Sequence, residues 1–254
     1  MLYLVVALTS LHLSAQTNRT KTLINAALHG WEYEIKAGFN IGGTAPLPFP
    51  EEIRSIDGYN PTLSITIEGN MTKWLDHQKR WGIITGLRME NKGMRTKATV
   101  KNYSMEIIGD DGNRLKGNWT GGVRTKVQNS YLTIPVLAAY KINERTNVKA
   151  GPYFSYLMDG DFSGHVYEGY LRENSPVGDK INFSNGAIAS YDFSSDLRKF
   201  QWGIQAGIDW KAFKHLKIYA DLNWGLNDIF EKDFNTITFP MYPIFLNVGF
   251  GYAF

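Results

Sequence analysis

The last twelve residues of the chain alternate between bulky apolar side chains and small or polar ones. Leu246, Val248, Phe250, Tyr252 and Phe254 are separated by single Asn, Gly, Gly and Ala residues. A period of two is the pattern of a β-strand with one apolar face. Because this face ends in aromatic residues at the C-terminus, it is typical of a strand that leaves lipid through an interfacial aromatic girdle.

Seven earlier segments alternate in the same way, and we predict a strand for each: residues 31–43, 63–74, 81–90, 131–141, 148–158, 202–211 and 216–226. In the first of them, Tyr33, Ile35 and Ala37 alternate with Glu34 and Lys36. After residue 16, the sequence has no run of the roughly 18 apolar residues that a membrane-spanning helix requires. A passage through a membrane would therefore use the alternating segments.

The connections between these eight segments alternate in length. Three are short turns, at residues 76–80, 143–147 and 212–215; three are long, at residues 44–62, 91–128 and 159–199, and the last, at residues 227–242, is of medium length. Short turns at one end and long loops at the other are typical of outer-membrane barrels, whose sheet must close on itself in hydrocarbon. The sequence thus predicts an all-β fold: an eight-stranded antiparallel up-and-down transmembrane β-barrel with short periplasmic turns and long extracellular loops, in the outer membrane of a Gram-negative bacterium.

The N-terminal residues differ from the alternating segments. Residues 1–16 begin with an apolar run and end in Ser-Ala-Gln, which predicts a secretory signal peptide cleaved near Ala15 or Gln16. No basic residue precedes the apolar run, so we expect the initiation codon to lie upstream; a short buried strand is the alternative interpretation. We assign residues 17–30 to a periplasmic N-terminal segment and residues 31–254 to the barrel.

The polar face of the predicted strands carries charges of both signs, which would point into the barrel. They are Glu34, Lys36, Glu68, Arg88, Glu90, Lys149, Asp209, Lys217 and Asp221. An eight-stranded barrel has an interior just wide enough to be filled by side chains or to hold one small ligand. Because buried charges need partners and both signs are present, we expect a lumen plugged by ion pairs. A path for ions or protons is the alternative.

The composition excludes several kinds of site. The chain has no cysteine, which rules out disulfides, thiolate metal sites and cysteine nucleophiles. Four histidines follow the predicted signal peptide, namely His29, His77, His165 and His215. They lie in different connections and no pair has metal-ligand spacing, so we expect no metal and no cofactor. The net charge of +3 is too small to indicate nucleic-acid binding.

The C-terminus resembles a known signal. Asn247, Gly249, Tyr252 and Phe254 have the order of the C-terminal sorting signal of bacterial outer-membrane barrel proteins. The resemblance implies that the barrel assembly machinery recognises this strand.

Several strands together resemble one family. They are residues 131–137 (Tyr-Leu-Thr-Ile-Pro-Val-Leu), 151–157 (Gly-Pro-Tyr-Phe-Ser-Tyr-Leu), 202–208 and 219–229, and in this order they are similar to strands of the PorT-like outer-membrane β-barrel family of Bacteroidetes. The resemblance spans residues 31 to 254 and implies a small eight-stranded barrel. It implies no activity, although one branch of the family serves a protein secretion system.

The third and fourth predicted strands continue as polar, β-prone segments on either side of a turn at residues 110–113. At about 3.3 Å per residue, roughly twenty extra residues on each side would project well beyond the membrane. Residues 91–128 contain eight basic and three acidic residues. We select Lys97, Lys101, Lys116 and Arg124 as candidate contacts for lipopolysaccharide or for an unidentified protein partner. A solvated face that protects a sheet edge is the alternative.

The sequence supports functions of three classes. The leading hypothesis is a non-enzymatic outer-membrane barrel with a structural or surface-interaction role, linked to secretion through the family resemblance. A small solute channel is the first alternative. The second is an outer-membrane enzyme acting on lipid or peptide, for which the candidate residues are Asp161, Ser163 and His165. Because such groupings often arise by chance in polar segments, we expect no catalysis.

Overall fold

The computed structural model describes residues 30–108 and 114–254. They form strands β1 (Trp31–Pro46), β2 (Ile53–Pro61), β3 (Ile65–Trp74), β4 (Trp81–Ile108), β5 (Arg114–Lys141), β6 (Thr146–Glu173), β7 (Lys180–Asp192), β8 (Phe200–Lys211), β9 (Leu216–Gly225) and β10 (Met241–Ala253), and a short 3-10 helix (Ser194–Asp196). The predicted signal peptide, residues 17–29 and the predicted turn at 110–113 lie outside the described residues. Within the described residues, no helix is both long and apolar enough to cross a membrane.

Eight of the strands close a ring in which every neighbouring pair is antiparallel. β1 pairs with β3, the strands β4, β5, β6, β8, β9 and β10 follow in chain order, and β10 pairs back with β1. These strands are the eight alternating segments of the sequence, so the predicted fold class is confirmed. The C-terminal stretch closes the ring, with Gly249 opposite Gly38 and Tyr252 opposite Ile35.

Alternation along the ring strands separates an apolar outside from a polar inside. Ile67 and Leu87 point outward and are 59% and 51% exposed, whereas Lys36, Glu68 and Arg88 point inward and are buried. A soluble protein would bury the first set and expose the second. The arrangement is that of a barrel whose outer surface meets hydrocarbon.

The long connections contain more regular structure than the sequence predicted. The extensions of β4 and β5 agree with the predicted projecting hairpin, whereas the outer part of β6 and all of β7 lie within residues 159–199, which we expected to form a loop. β2 likewise lies within the loop expected at residues 44–62. The loop prediction at 159–199 was wrong because the apolar residues there, such as Phe162, Val166 and Leu171, are too widely spaced to show a clear period of two.

Beyond the ring, the extended strands form a second sheet, which we call the projecting sheet. Its order is β2, β4 (93–108), β5 (114–129), β6 (159–173) and β7, and a pair between Ile108 and Ser190 brings β7 back to β4. One face packs on a hydrophobic core, here called the cap core, which contains Trp119 and, from the connection before β10, Phe230. Because Tyr131 at the outer end of the ring also belongs to it, the cap core lies over the outer mouth of the lumen.

Candidate functional site

The structure places all nine candidate lumen charges inside the ring. Eight are buried, and the side chain of Lys217 is 15% exposed. Alternation along the ring strands carries them inward, since each lies at a position between two lipid-facing residues. They form three groups along the barrel axis, and each group contains both signs.

The group nearest the periplasmic end is a single pair, in which Lys217 Nζ lies 3.2 Å from Glu34 Oε2. A cavity of about 350 Å³ opens at this mouth and is lined by Lys217 and, at its inner end, by Asp209. Water from the periplasm can therefore reach the first charges of the lumen.

The middle group contains two lysines and two aspartates. Lys149 Nζ lies 2.6 Å from Asp209 Oδ1 and 2.9 Å from Asp221 Oδ1, and Lys36 Nζ lies 3.3 Å from the same oxygen of Asp209. The ring of Tyr219 fills the space beside both ammonium groups, with its centroid 4.8 Å from Lys36 Nζ and 5.5 Å from Lys149 Nζ. Such contacts stabilise desolvated cations. The group is neutral and packed.

The outer group is centred on Arg88. Its guanidinium donates to the carboxylate of Glu68, to Gln205 Oε1 at 2.8 Å and to Asn223 Oδ1 at 3.2 Å. Glu90 lies 3.9 Å from it and also accepts a hydrogen bond from Thr133 Oγ1 at 2.8 Å. Arg88 thus joins β4 to β3, β8 and β9 across the lumen.

Lys92 completes the outer group, and sequence reasoning missed it. We counted it among the charges of the projecting hairpin, but it is buried, with Nζ 2.9 Å from Glu90 Oε1. Three rings surround the ammonium, those of Tyr131, Tyr153 and Phe245, at 5.4, 5.3 and 5.9 Å. The nine predicted charges include five acidic and four basic residues. Lys92 supplies the missing positive charge. It lies two residues after Glu90 and therefore on the same face of β4, and this spacing could have identified it from the sequence.

The residues that resemble a sorting signal lie on both faces of β10 and, for Phe254, directly after its last residue. Asn247 points inward, and its Nδ2 donates to Asn40 Oδ1 at 2.6 Å and to Thr66 Oγ1 at 2.7 Å. Gly249 packs so tightly against β1 that an added Cβ would lie 2.1 Å from the Ala37 carbonyl oxygen. Tyr252 and Phe254 face outward and are 49% and 69% exposed. The aromatic residues are therefore accessible from the membrane, whereas the polar one belongs to the lumen.

The structure brings together two of the four candidate surface contacts. Lys97 lies directly opposite Arg124 in the β4–β5 ladder, whereas Lys101 lies at a bulge further along β4 and Lys116 lies opposite Glu106. Arg95 and Lys126 instead form the adjacent cross-strand pair. We call Arg95, Lys97, Arg124 and Lys126 the basic face. Sequence reasoning missed Arg95 and Lys126 because the register of the two strands, which decides which basic residues are neighbours, was unknown.

The basic face forms part of an open cleft of about 970 Å³, to which β2, β4, β5, β6 and β7 all contribute lining residues. Lys126 Nζ lies 2.5 Å from Asp161 Oδ2, while Arg95, Lys97 and Arg124 are exposed and make no ion pair with any other described residue. The guanidinium of Arg124 lies 5.1 Å from the ring centroid of Tyr167. The cleft therefore presents three cations without an ion-pair partner among the described residues, together with the carboxylates of Asp57 and Asp192.

The candidate catalytic residues lie beside this cleft but do not form a nucleophile and base. Ser163 Oγ donates to Asp161 Oδ1 at 2.6 Å, and within the described part of the chain no hydrogen bond joins Ser163 to His165.

Burial lowers the pKa of His165, and the neighbouring Arg124 lowers it further. Hydrogen bonds from Lys126 and Ser163 outweigh the opposing effect of burial and hold the pKa of Asp161 below its usual value. Among residues 30–108 and 114–254, no cluster of three His, Asp or Glu side chains could hold a metal ion.

Comparison with protein-family models agrees with the barrel architecture. The model of a family described as outer membrane protein beta-barrel domain matches residues 14–231. No curated protein matches the sequence. Among solved structures, the chain is similar to Ail, the attachment invasion locus protein of Yersinia pestis, with 12% identity over 88% of this chain and 97% of that chain and a TM-score of 0.36. It is also similar to the outer membrane protease OmpT from Escherichia coli, with 12% identity, coverage of 89% and 97% and a TM-score of 0.34. Neisserial surface protein A gives 8% identity, coverage of 89% and 97% and a TM-score of 0.31.

Proposed function

Because this chain belongs to the family of outer membrane protein beta-barrel domains, we propose that it is a non-enzymatic surface-interaction protein whose basic face binds the anionic groups of lipopolysaccharide. Its location in the outer membrane follows from the family. The observation that carries the proposal is a change of character along one continuous surface: the strand faces that meet hydrocarbon in the ring become basic directly above it.

The change can be followed along two neighbouring strands. On β4 the outward residue Met89 is 58% exposed, and the outward positions beyond it include Arg95 and Lys97. On β5 the outward residue Ile134 is 47% exposed, and the same face continues to Arg124. Arg95 lies six residues beyond Met89, which at about 3.3 Å per residue and a tilt of about 40° is roughly 15 Å higher. That height is suited to the anionic headgroup and sugar layer.

Charge reversal tests the proposal. Each Lys or Arg near an anionic surface contributes about 1 kcal/mol, so loss of three should weaken binding roughly 100-fold. We expect the triple variant Arg95→Glu, Lys97→Glu and Arg124→Glu to lose binding of purified lipopolysaccharide in detergent. The matched control changes Lys101, Lys116 and Lys214 to Glu, which alters the net charge equally on exposed residues outside the basic face. Equal weakening by both variants would show that binding follows overall charge, and no weakening in either would refute the proposal.

We further propose that the lumen does not conduct solutes. The support is the neutral set of ion pairs, together with the aromatic residues around Lys92 and the cap core above them. In planar bilayers, the protein should then give no stable conductance steps. Stable steps that disappear when Arg88 or Glu90 is changed would instead establish the alternative of a small solute channel.

Two finer assignments complete the proposal. The exposed Tyr252 and Phe254 are suited to recognition by the barrel assembly machinery, and Phe254→Ala should slow insertion into the outer membrane in a pulse-chase assay. The strand motifs at residues 131–137 and 151–157 support a PorT-like identity and a link to secretion, with an unidentified protein partner as the further expectation. Loss of secretion on deletion of the gene would test that link.

A further inference from the structure

The wall of the ring has a gap at its outer edge, between β1 and the neighbouring β2 and β4. β1 pairs with β10 along its length to Pro46, but it pairs with β3 only as far as Phe39. A last backbone hydrogen bond joins Asn40 N to Ser64 O. Above this level, β2 replaces β3 as the neighbour of β4, and β2 pairs with β4 but not with β1. One edge of β1 is therefore without a ladder partner over residues 41–46 among the described strands.

Side-chain contacts bridge this gap where a ladder is missing. Tyr59 OH donates to the Gly42 carbonyl oxygen at 2.7 Å, and Thr44 N donates to Met94 Sδ at 3.3 Å. Two such contacts hold the edges less firmly than a ladder does, since each can be broken by rotating one side chain. The edges can therefore separate without unfolding of the ring.

An apolar cavity of about 350 Å³ lies behind the gap. Its lining includes Ile56 of β2, Val100 of β4, Val123 of β5 and Phe239 of the connection before β10, and it includes no charged side chain. This volume lies within the range of small-molecule pockets, and an uncharged apolar lining selects hydrocarbon. A polar headgroup would have to remain outside.

The position of the gap identifies the source of that hydrocarbon. Phe39, just below the unpaired edge of β1, and Ile41, at its first residue, face outward and are each 49% exposed, and they belong to the lipid-facing belt. The rim continues with Phe49 and Ile56, which are 54% and 58% exposed. Because these apolar side chains continue the belt to the mouth of the cavity, the acyl chain of a lipid at the membrane boundary can enter the cavity with little exposure to water.

We propose that this cavity is a binding site for an acyl chain of an outer-membrane lipid, which enters sideways through the gap between β1 and β4. The cavity adjoins the cleft of the basic face, since Tyr59, Thr96 and Thr125 line both, but its apolar lining differs from the cations: Val100 and Val123 lie on the inner side of the projecting sheet and Arg124 on its outer side. Failure of lipopolysaccharide binding at the basic face would therefore leave this inference standing.

A reversible lock tests it on the folded protein. A Cβ built on Gly43 would lie 3.8 Å from Met94 Cγ, the position that the Sγ of a cysteine at residue 94 would take, so the pair Gly43→Cys and Met94→Cys should form a disulfide across the gap after a small adjustment of the two edges. The chain has no other cysteine to compete with it. The variant is reconstituted with a phospholipid that carries a photoreactive group in its acyl chain, and crosslinks are mapped by mass spectrometry before and after reduction of the disulfide.

Crosslinks to peptides that contain Val100 or Val123 should fall about tenfold in the oxidised form and return on reduction. Crosslinks to the lipid-facing Ile204, the internal control, should not change. A photoreactive free fatty acid in detergent is the second arm, and labelling of the cavity by that probe alone would refute a membrane-lipid source. Cavity labelling that is absent in both forms would refute the site itself, and labelling that the lock leaves unchanged would refute entry through the gap between β1 and β4.

Discussion

The ring and the projecting sheet are built from the same strands with opposite organisation. In the ring part of β4, Glu90 and Lys92 point inward and Met89 points outward; beyond it, Met94 points inward and Arg95 outward. Side chains alternate inward and outward without interruption between these residues. What changes is the chemistry of the two faces: the inner one turns from charged to apolar and the outer one from apolar to basic. The surroundings explain the exchange, because hydrocarbon outside the ring requires an apolar surface and water outside the projecting sheet requires a polar one. The exchange between Lys92 and Met94 thus marks the membrane boundary.

The two interiors are stabilised by different means, and the largest effect is expected in the ring. Arg88→Ala would leave Glu68 and Glu90 buried without their guanidinium partner. Removing one partner of a buried pair costs about 3–5 kcal/mol. Urea unfolding in detergent should show this loss of stability. Arg88→Met combined with Glu68→Gln, which removes the charge of both partners, should recover part of it, and no recovery would mean that packing rather than charge explains the effect.

A truncation in the cap core sharpens the comparison. Leu171→Ala removes a fully buried side chain and should cost about 2–5 kcal/mol. We expect the loss to appear as faster hydrogen exchange in the projecting sheet, with the heat-modifiable gel mobility of the ring unchanged. Leu222→Ala on the lipid-facing surface, where the side chain is 45% exposed, is the matched control. Loss of the ring together with the projecting sheet would show that the two regions fold as one unit.

The smallest effect concerns the proton on His165. Its pKa is lowered by burial and by Arg124, so acidification charges it later than an ordinary histidine. The depressed pKa means that the folded state loses stability as the pH falls below the ordinary value of about 6.5. Arg124→Gln should raise the pKa, as should phosphate bound at the basic face, and an NMR titration of the imidazole measures both. An unchanged pKa in Arg124→Gln would assign the shift to burial alone.

The eight ring strands could be predicted from the sequence because lipid imposes strict alternation on each of them. Even the C-terminal stretch, without its partners, has the pattern that the structure shows from Leu246 to Phe254. β7 could not be predicted, because its inner residues Ala189 and Tyr191 are few and its partner β6 supplies the pairing. A strand whose outer face meets water needs no regular alternation on that face, so the period of two weakens.

The candidate site was only partly predictable for a related reason. Side chains alternate in direction along a strand, so the sequence of one strand is enough to show which of its charges point inward. All nine lumen residues could be selected in this way. The basic face depends on register between strands, which placed Lys97 opposite Arg124 but kept Lys116 apart from them. The cap core and the cavity behind β1 depend on contacts between distant segments, such as Phe239 with Tyr103, for which the sequence contains no local signal.

An accessibility scan of β5 tests the account most directly. Because the chain has no cysteine, single cysteines can be introduced at residues 124–138 and labelled with a nitroxide for electron paramagnetic resonance with lipid-soluble oxygen and a water-soluble nickel chelate. We predict that Ile134→Cys and Val136→Cys respond to oxygen, Arg124→Cys and Gln128→Cys to nickel, and Thr133→Cys and Val127→Cys to neither. Access of nickel to residue 133 would contradict the closed lumen, and access of oxygen to residue 124 would contradict the exchange of faces above the membrane.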